Sequence, residues 1–158
     1  MILLFAVPVY LIAGIYFLDK ECFLCPLEYK GTIIIRADSR GNGFFASPRN
    51  GHRTHRGIDL SAPIGTPVLA ARSGIVSVVR DEKLGMGKYV VIKHLGNMTT
   101  LYGHLSQIDV SEYQFIRQGT IIGRVGKTGN ANSPAMQPHL HFEVKEGGVP
   151  QDPLDYLD

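Results

Sequence analysis

The chain is poor in cysteine, in net charge and in helical periodicity, and each shortage narrows the reading. Two cysteines in 158 residues cannot knit a disulfide-dense scaffold. Cys22 and Cys25 make a lone C-x-x-C with no second pair to complete four thiolates, which argues against structural zinc there; no function is assigned to the pair. Sixteen basic side chains face 14 carboxylates, an excess too small and too scattered for a nucleic-acid partner. Repeats and low-complexity tracts are absent. After residue 26 no segment sustains a 3.6-residue period, so a helical bundle is excluded.

What is present is enough apolar sequence, 44%, to bury one core, broken up by 18 Gly and 9 Pro. Short stretches of strand character lie between turn residues: Thr32 to Arg36, Val68 to Ala71, Gly74 to Arg80, Lys88 to His94, Thr99 to Leu105, Thr120 to Val125 and Leu140 to Lys145. Leu95-Gly96-Asn97 makes a hairpin of the fourth and fifth. Ser111 to Gln118 has room for one helical turn. This texture predicts an all-β domain.

The N-terminus differs. Ile2 to Leu18 is an apolar run of 17 residues followed by Asp19-Lys20-Glu21. It lies at the lower edge of what spans a bilayer and exceeds a usual secretory core. It reads as an uncleaved, transmembrane signal-anchor helix, ahead of a cleaved signal peptide or a buried core segment. Residues 1–26 therefore form an anchor or signal segment and residues 27–158 the domain. Either export reading carries the domain out of the cytoplasm.

Histidine carries the chemistry. His55 and Asp59 form an H-x-x-x-D, and His139 and His141 an H-x-H. Imidazole and carboxylate are ligands suited to zinc. Side chains two apart on a strand share a face, so His139 and His141 would point to one place. His55 and Asp59 fit a loop entering a strand better than a helix, because Gly57 and Ser61-Ala62-Pro63 surround them. Neither spacing is specific alone.

Longer strings are. Gly51 to Leu60, Ala62 to Val68, Lys88 to His94, Leu101 to Leu105 with its Tyr102-Gly103-His104, Gly119 to Gly129, Pro138 to Val144 and Asp152-Pro153 occur in order. Over residues 40 to 156 the chain resembles the lysostaphin/LytM-type zinc metallopeptidases, which cut peptidoglycan peptides. The resemblance implies an antiparallel β-sheet groove walled by loops. It implies His55, Asp59 and His141 as ligands of Zn2+, and His104 and His139 as the two catalytic histidines beside the metal. It also implies a zinc endopeptidase acting on stem peptides or cross-bridges of the cell wall, from the membrane through residues 2–18, as a monomer. The alternative is a catalytically silent regulator that activates another wall hydrolase, although degenerate relatives of that kind lose ligands or paired histidines that this sequence keeps. Of the two histidines, His104 is favoured as general base. Glu143 would share a face with His141, and both a bond to that imidazole and a surface or structural role fit its position. His52 and His94 match no ligand position. Asn130 to Gln137 lengthens one loop relative to the glycyl-glycine cutters of this family, which leaves the bond cleaved open.

Overall fold

The computed structural model describes residues 23–49 and 51–157. Two small hairpins come first: β1 (Ala37–Asp38) with β2 (Gly41–Asn42), and β3 (Pro48–Arg49) with β4 (Arg53–Thr54). The main sheet follows, with β5 (Ile58–Ser61), β6 (Pro67–Leu69), β7 (Gly74–Asp81), β8 (Lys88–Lys93) and β9 (Met98–Ile108). It is completed by β10 (Phe115–Ile116), β11 (Ile121–Val125), β12 (His139–Glu146) and β13 (Val149–Gln151). The named strands pair antiparallel throughout. The described residues hold no α-helix, only single 3-10 turns at Gly129–Ala131 and Pro153–Asp155. The all-β expectation therefore holds.

The long strand β9 organises the sheet. One edge pairs with β8, which leads on to β7 and β10. The other edge serves two partners in turn: β12 along Met98 to Gly103, then β11 along Leu105 to Ile108. The far edge of β12 carries β5 and β13. This branching puts β5, β12 and β9 side by side, which matters for the site.

Alternation along these strands separates two faces. Ile58 and Leu60 of β5, Leu140 and Phe142 of β12 and Tyr102 of β9 are fully buried in one hydrophobic core. The residues between them, Asp59, His139 and His141, face the other way. Phe23 and Leu27, each 2% exposed, belong to the same core.

Two expectations need revision, and a third falls outside the described residues. Thr32 to Arg36 is not a regular strand; it bridges β5 once, at Ile35 and Leu60. The edge of β5 is shared: Arg36 N–H donates to the Asp59 carbonyl, but Asp59 N–H donates to the Gly43 carbonyl, so no continuous ladder forms. Ser111 to Gln118 forms turns and β10 instead of a helical turn, because β7 claims its backbone groups through Tyr113 N–H to Val76 O and Val76 N–H to Gln114 O. The expected N-terminal helix over Ile2 to Leu18, and Cys22, lie outside the described residues, among which no helix is long and apolar enough to cross a membrane.

Candidate functional site

Strand register assembles the site. Asp59 on β5 lies directly opposite His141 on β12, and His141 lies opposite Gly103 on β9. His55 reaches the same place from the segment entering β5. That approach depends on Gly57: a Cβ there would stand 2.1 Å from the Phe142 carbonyl oxygen, so any side chain would push the segment off β12.

Three donor atoms converge. His55 Nε2 lies 3.0 Å from His141 Nδ1 and 3.1 Å from Asp59 Oδ1, and His141 Nδ1 lies 2.9 Å from the same oxygen. Tetrahedral zinc with bonds of about 2.0–2.1 Å needs ligand atoms about 3.3 Å apart. The trio therefore fits a metal ion with little movement, and all three residues are buried.

His104 and His139 stand beside it, their ring centroids 5.0 Å apart, with His104 5.9 Å from the His141 ring. His139 follows from strand alternation, but His104 does not. On β9, Tyr102 faces the core and Gly103 faces His141, so regular alternation would send residue 104 into the core. Instead His104 adopts a left-handed backbone (φ 62°) at a point where the pairing of β9 slips against both β8 and β11. A bulge of this kind re-aims a side chain. Here it turns His104 to the polar face and returns Leu105 to the core.

Each imidazole is tied at one nitrogen. His55 Nδ1–H donates to the Phe44 carbonyl at 2.9 Å, His104 Nδ1–H to the Thr128 carbonyl at 2.9 Å, and His139 Nδ1–H to the Gln137 carbonyl at 2.7 Å. His141 is tied through Nε2, which donates to Glu143 Oε1 at 3.1 Å. These acceptors set the tautomers, so Nε2 of His55, His104 and His139 and Nδ1 of His141 are left for the shared space. Glu143 is thus a buried partner of His141, itself paired with Lys145 Nζ at 2.7 Å. His52 is exposed and joins nothing here, and His94 is a buried structural residue between the Ser73 carbonyl and Thr100 Oγ1.

The electrostatics divide the histidines. Burial, reinforced by the neighbouring His141 and His139, pushes the His104 pKa down to about 3. Burial also lowers His139, opposed by the charge of Asp59, whose Oδ1 lies 3.8 Å away. Burial would lower His141 too, but hydrogen bonds to Asp59 and Glu143 outweigh it and raise its pKa to about 9. Burial works against ionisation of Asp59, yet its bonds from His141 and His55 hold the carboxyl well below the usual range.

Sequence reasoning missed the support behind Asp59. Its second oxygen, Oδ2, accepts from Arg36 Nη2 at 2.9 Å, from Arg36 Nε at 3.3 Å and from Arg49 Nη2 at 3.3 Å. Arg36 also pairs with Asp38 Oδ1 at 2.6 Å, and Asp38 Oδ2 accepts from Gln137 N–H, next to the carbonyl that holds His139. The only trace in the sequence is the recurrence of arginine at 36, 40, 49, 53 and 56.

Known proteins resemble this chain in sequence and fold. Residues 53–153 match peptidase family M23. The DD-carboxypeptidase/endopeptidase Mpg of Neisseria meningitidis is 41% identical over 102 residues, 65% of this chain and 22% of that protein. A zinc-containing peptidase from Vibrio cholerae superposes with a TM-score of 0.71 at 33% identity, over 85% of this chain and 40% of that one. The catalytic domain of lysostaphin from Staphylococcus simulans gives 0.62 at 31%, over 75% and 91%. The chain thus spans about a fifth of the length of the curated relative. With most of its length inside the matched region, the chain belongs to peptidase family M23.

Proposed function

We propose that the protein is a zinc endopeptidase that hydrolyses peptide cross-links of bacterial peptidoglycan outside the cytoplasm. The observation that carries this reading is the set of four imidazoles, each tied at one nitrogen with the other turned to a common space. His55, Asp59 and His141 would hold the metal. When bound, zinc supplies an acidified water and a polarised scissile carbonyl. His104, kept neutral by burial, takes the proton of the attacking water through Nε2. His139 enters the step protonated at Nε2, a state that the charge of Asp59 favours against burial, and passes that proton to the leaving amine; the proton held by His104 then replaces it. Glu143 fixes the orientation of His141, and Arg36 that of Asp59. The named relative is an endopeptidase of the same family, and the apolar run Ile2 to Leu18 would bring the domain to a membrane facing the wall.

Purified sacculi provide the test. The full chain should release peptides, and a chelator should stop it. His141→Ala should lose zinc and activity together. His104→Ala should keep zinc and lose turnover by roughly 10²-fold or more, the scale of a lost proton transfer. A zinc-loaded wild type that releases nothing, yet stimulates a second hydrolase, would replace this reading with that of a regulator.

A further inference from the structure

The bulge that turns His104 to the polar face has to be held open. From Val90↔Tyr102 to Lys88↔Leu105, β9 advances three residues against two of β8. From Arg124↔Gln107 to Val125↔Leu105 it advances two against one of β11. Strand β9 thus carries an extra residue against each neighbour, which interrupts the ladder. The left-handed backbone of His104 (φ 62°) is sparsely populated for a residue with a side chain. It persists only where its surroundings over-determine it.

Thr128, half-buried just after β11, is bonded on three sides. Its hydroxyl accepts from the Lys88 N–H at 2.9 Å and donates to the Leu105 carbonyl at 2.9 Å. Lys88 and Leu105 are the register partners next to the slip, so one side chain ties β8 to β9 where the pairing shifts. The Thr128 carbonyl accepts from His104 Nδ1–H at 2.9 Å. The ring and the two strands beside it are therefore joined through a single residue.

Close backbone packing seats Thr128 there. A Cβ on Gly87 would stand 2.3 Å from Thr128 Oγ1, and a Cβ on Gly126 would stand 2.3 Å from the Ser106 nitrogen. Bare backbone at both positions lets the segment after β11 press between the β7–β8 turn and β9. The same turn holds the main chain of His104, whose N–H donates to the Met86 carbonyl at 2.8 Å.

This arrangement bears on the chemistry. With Nδ1–H committed to the Thr128 carbonyl, Nε2 is left bare, which is the tautomer a general base requires. Among the described residues no other hydrogen bond fixes this ring. If the carbonyl swung away, the proton could reside on either nitrogen and the ring could turn.

We propose that Thr128 is a positioning residue for His104: its hydroxyl, by joining Lys88 to Leu105, holds its carbonyl on Nδ1 and so keeps Nε2 bare and aimed at the space shared with the metal ligands. The inference rests on the peptidase reading and adds a residue to that same site.

The test compares the zinc-loaded full chain with Thr128→Val, which keeps the branched shape but not the hydroxyl, and with Thr128→Ser, which keeps the hydroxyl. Nitrogen-15 spectra of the histidine rings report which nitrogen of His104 carries the proton. The wild type should show a single tautomer, Thr128→Val a mixture, and Thr128→Ser a single tautomer again. On a synthetic cross-linked peptide, Thr128→Val should keep its zinc and its KM and lose kcat by about tenfold or more, the scale of a misplaced reacting group. Thr128→Ser should restore most of that loss. An unchanged tautomer in Thr128→Val would overturn the proposal, whatever its rate. So would loss of zinc together with turnover, which would make Thr128 a support for the fold alone, or a failure of Thr128→Ser to restore both readouts. If Thr128→Val does not fold, proton exchange in the wild type decides. The Lys88 amide and His104 Nδ1–H should then open together, and a ring proton that exchanges while the amide stays protected sinks the proposal. If the wild type cleaves nothing, the peptidase reading fails separately, and the ring spectra alone decide the role of Thr128.

Discussion

At the scale of single residues, neighbouring imidazoles of one type acquire opposite acid–base characters. Burial holds His104 down to about 3 and lowers His139, so the folded protein resists protonating them. The unfolded chain binds those protons below about pH 6.5, and stability is therefore lost as pH falls from that value. Asp59 and Glu143, both depressed, add to the acid loss once pH drops below their unfolded values near about 4. His141 acts in the other direction. Despite its burial, the bonds to Asp59 and Glu143 raise it to about 9; its contribution is complete below about pH 6.5 and is lost as pH rises through 9. The melting temperature of metal-stripped protein should peak near about pH 6–7 and fall on both sides. Zinc must displace the His141 proton to bind at Nδ1, so saturating zinc should abolish the alkaline limb. Melts from about pH 4 to 10, with chelator and with zinc, check this; an alkaline limb that survives excess zinc would contradict it. For the same reason the acid limb of activity should track zinc loss, since His104 stays neutral far below the pH at which His141 takes its proton.

At the scale of elements, the site depends on two backbone approaches that side-chain chemistry does not announce. One is the bulge on β9 that turns His104 outward. The other is the contact of Gly57 with β12. Gly57→Ala places a methyl group 2.1 Å from the Phe142 carbonyl oxygen and 2.9 Å from its carbonyl carbon, both backbone atoms of β12 that do not give way cheaply. The substitution should cost more than about 1 kcal/mol in denaturant unfolding. It should also weaken zinc binding in a chelator competition, because His55 and Asp59 flank the displaced residue. Unchanged stability and zinc affinity together would mean the segment has slack that the packing does not show. The strands themselves were readable. The hairpin of Lys88 to His94 with Thr99 to Leu105 and the strand carrying H-x-H stand where alternation and turn residues place them. Thr32 to Arg36 reads as a strand for the same reason, being β-branched. It is not one, because Gly43 competes for the edge of β5.

At the scale of the whole molecule, the domain begins earlier than a change of sequence texture implies. Phe23 is 2% exposed, donates its N–H to the Tyr156 carbonyl and bridges Leu157, while Leu24 N–H donates to Ala71 O. Its ring stands edge-on to His94 and Tyr156. The segment before Leu27 thus ties the two ends of the domain together. A protein starting at Leu27 should be less stable than one starting at Glu21 by roughly 3–5 kcal/mol, the cost of deleting a buried phenylalanine. Chemical denaturation of the two truncations measures the difference, and equal midpoints would show that Phe23 contributes nothing to the fold.

The sequence alone determined the strand character of the domain and the identity of the five polar residues at the site. Both rest on local pattern: period-two alternation places His139 with His141, and the strings around His55, Asp59, Tyr102-Gly103-His104 and His139 are distinctive in themselves. Tertiary structure decided the rest. Register across β5, β12 and β9 brings His55 and His141, 86 positions apart, within 3.0 Å. A left-handed residue reverses the facing of His104. Arg36 and Arg49 close on Asp59 from a segment with no regular period. Local pattern dictates which way a side chain points from its own strand. It does not dictate which strand lies next to it, where the pairing slips, or which distant backbone carbonyl holds an imidazole, since those are set by the packing of the whole sheet.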